Sequence, residues 1–413
     1  MSEAGLEQKY IKEAFDTNWV VPLGPNVNGF EDDLRRYVTS DKAHAPLPAI
    51  AGEQVAALCS GTAAVHLALL ACGVQPGDEV IVQSFTFCAS SHPITYTGAK
   101  PVFIDSEPMT WNMDPDLLEQ AVRERIAAGK KPKAIIPVAL YGMPYDIERI
   151  MEIGNRYDIP VIEDAAEGFG SRINGQVLGT FGKYGILSFN GNKMITTSGG
   201  GALICPDVAA KEQILWYATQ ARESYSYYQH EAIGYNYRLS NICAGIGRGQ
   251  MTVVDDHIAH HRHIAALYRE AFKDVDGIDF HDEQPGMESN FWLSTIVLDE
   301  HLHVRNEERA YSKPIAGAVG GAAGVVHGSG AIHTDCEPNV NVEALRLILD
   351  EAGVESRPLW KPMHKQPVYR SAKAYVNGVS ESLFKRGLCL PSGPMVSDEE
   401  VAMIIDTIKG AIV

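Results

Sequence analysis

Val161-Ile162-Glu163-Asp164-Ala165-Ala166-Glu167 begins as a short apolar strand and ends in acids. Strands buried on both faces read as continuous apolar runs, and ligands of open parallel sheets bind at the carboxyl ends of their strands. Taken alone, Asp164 reads as an ordinary strand-end residue capping the next turn. Its surroundings set the context. Glu79–Val82, Pro101–Ile104, Lys133–Val138 and Pro160–Glu163 are short, rich in Val and Ile, and bounded by Gly, Pro or Asp, which predicts strands. Between them Ala63–Cys72, Asp116–Ala127 and Asp146–Tyr157 carry helical spacing. Strands alternating with helices predict parallel βαβ units, with helices on both faces of one sheet, and hence an α/β fold.

The pattern changes after Ser240. A long helical run is predicted through about Phe272, with His257, His260, His261 and His263 clustered on it. They read as a solvated helix face, because no carboxylate or cysteine spacing accompanies them to complete a metal site. Phe291–Leu298 predicts a strand and Val342–Ala352 a helix. Ser397-Asp398-Glu399-Glu400 predicts a capping box opening a last helix that runs to about Ile412. Lys313–Gly330, rich in Gly and Ala, reads as a mobile loop. The chain of 413 residues exceeds the roughly 250–300 at which single cores stop growing. We therefore expect a large domain over 1–250 and a smaller C-terminal α+β domain over 251–413.

A formal net charge of −17 argues against nucleic acid or an anionic membrane surface as the main partner. It leaves room for an anionic substrate in a locally positive pocket. The first residues carry acid early, unlike a secretory signal, and no run approaches the roughly 20 apolar residues of a spanning helix. The seven cysteines are scattered without a CxxC pair, so reduced core thiols are expected and the cytoplasm is the default compartment.

Four features together point to a phosphate-bearing aldehyde cofactor. Ser60-Gly61-Thr62-Ala63-Ala64 opens a helix directly after an apolar run, and free N–H groups at a helix start suit a phosphate. Ser and Thr at such positions are more often simply structural caps. The acids after Val161-Ile162 could pair with a pyridinium nitrogen and keep it protonated. In Ile186-Leu187-Ser188-Phe189-Asn190-Gly191-Asn192-Lys193, a lysine near the end of an apolar strand could supply the free amine of a Schiff base, with Ser188 adding a hydroxyl to the phosphate. Most lysines are surface charges, so this segment is weak by itself. Gly199-Gly200-Gly201 lets backbone turn tightly beside a ligand, or is a flexible linker; the strand predicted at Ala202–Ile204 favours a turn.

These motifs, with Ser84-Phe85-Thr86-Phe87 and Gly234-Tyr235-Asn236-Tyr237-Arg238 in the same order, resemble the DegT/StrS family from about Pro22 to the C-terminus. The resemblance implies the aspartate-aminotransferase fold type (fold type I) and pyridoxal 5'-phosphate as cofactor. It implies Lys193 as the Schiff-base lysine and proton-transfer base, and Asp164 as the partner of the pyridine nitrogen. Gly61, Thr62 and Ser188 would hold the phosphate, and Phe87 would stack on the ring. Glu167 stands where the family commonly has His or Gln near the ring hydroxyl, which leaves that contact open. Asn236 matches an asparagine that reaches the phosphate of a neighbouring subunit, so a homodimer with shared sites is implied. Retention of the lysine, where some members carry histidine and dehydrate, implies transamination.

Asn190–Gly201, Arg357-Pro358-Leu359-Trp360-Lys361-Pro362-Met363-His364 and Leu388–Gly393 resemble the branch that makes the UDP-N-acetylbacillosamine precursor. The implied acceptor is UDP-2-acetamido-2,6-dideoxy-4-keto-glucose and the implied donor L-glutamate. Arg357 and His364 would touch sugar or nucleotide, or simply join the two domains. A GDP- or dTDP-linked 4-keto sugar, another reaction of the same cofactor, and a catalytically silent cofactor-binding regulator stand as alternatives.

Overall fold

The computed structural model describes residues 1–2, 5–40, 54–311 and 336–413; the Gly/Ala-rich loop expected at Lys313–Gly330 lies outside them. In chain order the helices are α1 (Leu6–Asp16), α2 (Pro25–Val38), α3 (Gly61–Ala71), α4 (His92–Tyr96), α5 (Pro115–Ala127) and α6 (Ile147–Arg156). They continue as α7 (Val208–Ala218), α8 (Asn241–Met251), α9 (Val254–Phe272), α10 (Val340–Glu351), α11 (Val379–Arg386) and α12 (Asp398–Ala411). The strands begin with β1 (Val55–Leu58), β2 (Glu79–Gln83), β3 (Lys100–Ile104), β4 (Ile135–Ile136) and β5 (Ile162–Asp164). Then come β6 (Arg172–Ile173), β7 (Gln176–Val177), β8 (Tyr184–Ser188), β9 (Gly201–Ile204) and β10 (Ile278–Phe280). Last are β11 (Met287–Glu288), β12 (Ser294–Leu298), β13 (Arg357–Pro358), β14 (Lys373–Tyr375) and β15 (Gly387–Leu390).

Two four-stranded sheets, ordered β1-β9-β8-β5 and β14-β3-β2-β4, run on into one layer. Parallel bridges Ile135↔Val161 and Val138↔Asp164 join them, and the Asp164 N–H donates to the Pro137 carbonyl at 2.9 Å. Every neighbouring pair in the layer is parallel except those made by β9, which runs against both β1 and β8. The side-chain alternation of a strand explains why the sheet is buried on both faces. Ile81 of β2 packs with Phe85 and Leu118 on one side, while Val80 and Val82 pack with Leu67 and Phe103 on the other. The α/β class with a mostly parallel central sheet is therefore the one expected.

A third core gathers α9, α10 and α12 over the antiparallel sheet β10-β12-β15-β13, with Tyr268, Phe272, Ile296, Leu345 and Ile404 buried in it. The capping box forms at α12: the Ser397 hydroxyl accepts the Glu400 N–H at 3.2 Å and Glu400 Oε2 accepts the Ser397 N–H at 2.9 Å.

The structure departs from the sequence reading in four places. The run after Ser240 breaks at Thr252-Val253 into α8 and α9. The strand expected from Phe291 starts at Ser294, because Phe291 takes a positive φ of 46°. Lys373–Tyr375 leaves the small core and pairs in parallel with β3 at the edge of the large sheet. The histidines do not form a solvated face. His261 is buried, His257 Nδ1 donates to the Met194 carbonyl at 3.1 Å, and His260 Nε2 donates to the Gly393 carbonyl at 3.2 Å. Only His263 points outward, to Asp398 at 2.9 Å. Burial, followed by repulsion from His260, lowers the His261 pKa to about 4. Among the described residues no His, Cys, Asp and Glu cluster is placed to hold a metal, and no helix is long and apolar enough to cross a membrane.

Candidate active site

The carboxyl ends of β5 and β8 and the first turn of α3 converge. Asp164 closes β5, 3% exposed, because the strand continues straight from the core. Its Oδ2 accepts the Ser90 hydroxyl at 2.6 Å and its Oδ1 accepts the Ala166 N–H at 3.1 Å. Burial pushes its pKa up, opposed by the Ser90 and Ala166 hydrogen bonds and by the charge of Lys193. Three residues on, Glu167 is 4% exposed; its Oε2 accepts the Tyr141 N–H at 2.7 Å. Burial raises the Glu167 pKa to about 7, opposed by Lys193 and the Tyr141 N–H and reinforced by Asp164.

Lys193 lies on the loop between β8 and β9. Its Nζ is 3.5 Å from Glu167 Oε1 and 4.0 Å from the centroid of the Trp292 ring. The apolar residues on either side of this loop explain its placement: Phe189 is buried, Asn190, Gly191 and Asn192 rise to the surface, and the chain re-enters the core after the lysine at Met194 and Ile195.

Ser60 caps α3, its hydroxyl accepting the Ala63 N–H at 3.0 Å, and Gly61 and Thr62 lead the helix. A Cβ on Gly61 would sit 3.0 Å from Ser188 Cβ, and one on Gly201 would sit 2.4 Å from Gly61 N. Only bare backbone fits where β8, β9 and α3 meet. The structure thus brings Gly61 and Ser188 together at one end, and Asp164, Glu167 and Lys193 at the other.

The remaining expected residues stand further out. Phe87 is 53% exposed, with its ring 5.2 Å from that of Trp360. His364 Nδ1 meets the Ser84 hydroxyl at 2.7 Å, tying its segment to the end of β2. Arg357 turns to Glu355 at 2.6 Å, in half-exposed surroundings. Asn236 is exposed and contributes backbone to a bridge with Thr219, while Tyr235 and Tyr237 on either side stack on each other and meet His66 edge-on.

Four contributors were not foreseen: Ser90, Tyr141, Trp292 and Trp360. Tyr141 holds a positive φ of 55°, and its phenol oxygen accepts the Trp360 N–H at 2.9 Å. The rings of Tyr141 and Trp292 edge onto Trp360, and that of Phe87 packs against it at a tilt. Gly142-Met143-Pro144 after Tyr141 was a visible turn signal and Trp360 lies within the Arg357–His364 segment; nothing local marked Ser90 or Trp292.

A buried strand-end carboxylate, a lysine beside a second carboxylate and a glycine-lined helix start, on a mostly parallel sheet with a smaller α+β core, define an enzyme of fold type I that works through pyridoxal phosphate. The model of the DegT/DnrJ/EryC1/StrS aminotransferase family matches residues 2–313 and 324–409, and the chain belongs to that family. EpsN of Bacillus subtilis (strain 168), named as a pyridoxal phosphate-dependent aminotransferase, is 43% identical over 98% of this chain and 92% of its own. GDP-perosamine synthase of Escherichia coli O157:H7 is 34% identical over 99% of this chain and 96% of its own. A DegT DnrJ EryC1 StrS aminotransferase from Brucella abortus superposes with a TM-score of 0.80 at 28% identity, over 98% of this chain and 95% of that one. The protein is an aminotransferase, and its cofactor is pyridoxal phosphate.

The residues present fit that cofactor. The side-chain-free junction of Gly61, Gly201 and Ser188 leaves N–H groups and a hydroxyl for a phosphate. Asp164 is an acceptor buried deeply enough to want a cationic N–H opposite it.

Proposed function

We propose that this chain moves an amino group from L-glutamate to the C4 ketone of a nucleotide-linked 4-keto-6-deoxy sugar, with UDP-2-acetamido-2,6-dideoxy-4-keto-glucose as the first candidate. The observation that carries the reading is the meeting of Lys193, Glu167 and Asp164 at the ends of β5 and β8. The resemblance of Arg357–His364 and Leu388–Gly393 to one branch of the family supports the UDP sugar. The GDP-perosamine synthase relative favours a GDP-linked sugar as the second reading.

Pyridoxal phosphate, when bound, supplies the aldehyde carbon that carries the amino group and a ring that withdraws electrons. Gly61, Thr62 and Ser188 would hold its phosphate, Phe87 would cover its ring and Glu167 would meet its hydroxyl. Asp164 keeps the ring nitrogen protonated: an ionised carboxylate in so buried a place is stable only against a cation. Lys193 would anchor the cofactor, and its Nζ, as a free amine, would hold and move the proton at the substrate carbon. Glu167 faces that amine at 3.5 Å and can share its proton. Arg357 and His364 lie on the segment that would meet the sugar nucleotide. Asn236, exposed on its own subunit, completes the phosphate site of a second copy, so the working unit is a homodimer with shared sites.

The test is mass spectrometry of the protein incubated with pyridoxal phosphate, L-glutamate and the UDP-linked 4-keto sugar. A product with the mass of the 4-amino sugar, absent with Lys193→Ala, is expected. Release of 2-oxoglutarate with the UDP sugar unchanged and the GDP-linked sugar aminated would select the second reading.

A further inference from the structure

The carbonyls of the residues before and after Lys193 are both held from the chain beyond Ser240. The Trp292 indole N–H donates to the Asn192 carbonyl at 2.6 Å, and His257 Nδ1 donates to the Met194 carbonyl at 3.1 Å. Trp292 is 3% exposed and presents its ring face to Lys193 Nζ at 4.0 Å. Trp292 is itself fixed, its backbone N–H donating to Asn290 Oδ1 at 2.9 Å while Asn290 Nδ2 reaches the Glu167 carbonyl at 2.8 Å. Within the loop, the Lys193 N–H returns to the Asn190 carbonyl at 3.1 Å and Thr197 N–H to Phe189 at 2.9 Å. Lys193 therefore sits on a strap pinned one residue before and one residue after it, with an aromatic face waiting where its amine comes to rest.

We propose that Trp292 and His257 are positioning residues for Lys193: they fix the strap through its two flanking carbonyls, and the Trp292 face holds the amine close to the cofactor while it is not joined to it. This rests on the reading of Lys193 as the cofactor-linked lysine. Joining is a condensation in which the amine adds to the aldehyde carbon, the C–O bond breaks and water leaves. Its rate depends on how often the amine is presented in line, so a loosened strap slows it without touching the phosphate or ring contacts. A neutral hydrogen bond and a cation–π contact each limit the effect to roughly fivefold to tenfold.

The experiment mixes cofactor-free protein with pyridoxal phosphate and follows the absorbance of the lysine-linked cofactor by stopped flow. Affinity for pyridoxamine phosphate, which occupies the same site without an aldehyde to join, is measured in parallel. Trp292→Phe keeps a ring face and loses the indole N–H; His257→Leu releases the other carbonyl. Each is expected to slow joining about fivefold, and Trp292→Leu further, with pyridoxamine phosphate affinity within about twofold of the parent. Parental joining rates in both Trp292→Phe and His257→Leu would overturn the proposal. So would a parallel loss of pyridoxamine phosphate affinity, which would make both residues merely structural. Borohydride trapping and peptide mass spectrometry of the parent locate the joined lysine; a site other than Lys193 would remove the underlying assignment instead.

Discussion

The Ser90 hydroxyl donates to Asp164 Oδ2 at 2.6 Å, across 74 positions of sequence. It is the side-chain donor that fixes the rotation of this carboxylate, since the other oxygen takes the Ala166 N–H from its own turn. Ser90→Ala should leave the fold intact and lower the transamination rate about tenfold, the worth of one hydrogen bond to a charged group. Steady-state kinetics with glutamate checks it, and a parental rate would show that Asp164 needs no help from the short turn Cys88–Ser90.

Lys193→Ala should abolish turnover, because anchoring and proton carriage both depend on Nζ. Asp164→Asn should retain the fold and lose most of the rate; near-normal kinetics there would mean that another group protonates the ring. Circular dichroism alongside the rate measurement separates loss of chemistry from loss of structure.

Glu167 makes a pH prediction for the cofactor-free protein. Its folded pKa of about 7 lies above the ordinary 4.5, chiefly through burial, so the folded chain holds a proton that the unfolded chain releases. Stability from this group is full below pH 4.5 and is lost as pH rises through 7, by on the order of 3 kcal/mol. Glu167→Gln should flatten that slope. Urea midpoints at pH 5 and pH 7.5 decide it, and an unchanged slope in the variant would assign the effect elsewhere.

His281 predicts the opposite sign. Its ring stacks on Trp111 at 3.9 Å and Nε2 donates to the Thr110 carbonyl at 2.6 Å. Burial lowers its pKa to about 3, so stability is full above the ordinary 6.5 and is lost as pH falls toward 3. At pH 5 this amounts to about 2 kcal/mol. His281→Phe should be less stable than the parent at pH 7, having lost the Thr110 bond, yet lose less on going to pH 5. Thermal unfolding at the two values measures both terms.

Much of this was legible because it is local. The apolar runs and helical spacings of 55–204, the acids ending β5, the lysine after β8 and the capping box at Ser397 each sit within a dozen residues of their own signal. What was not legible is what folding brings from afar. Ser90, Tyr141 and Trp292 meet Asp164, Glu167 and Lys193, and Trp360 meets Tyr141, only through the tertiary structure, and a lone Trp in sequence looks like any core residue. The histidines of α9 were misread for the same reason: their helical spacing was visible, but not that the lysine strap packs against that side. The three residues of β14 were too few to carry a strand period.

That short strand has a consequence during synthesis. Until residues 373–375 have been made and docked, β3 is the open border of the large sheet, and the backbone of Val102, Phe103 and Ile104 is free along one side. An unpaired apolar border recruits strands from other molecules. The chain thus protects its large sheet with a strand that lies far later in the sequence, and a ribosome stalled before Lys373, or a nick that frees β14, would leave a product whose first failure is aggregation.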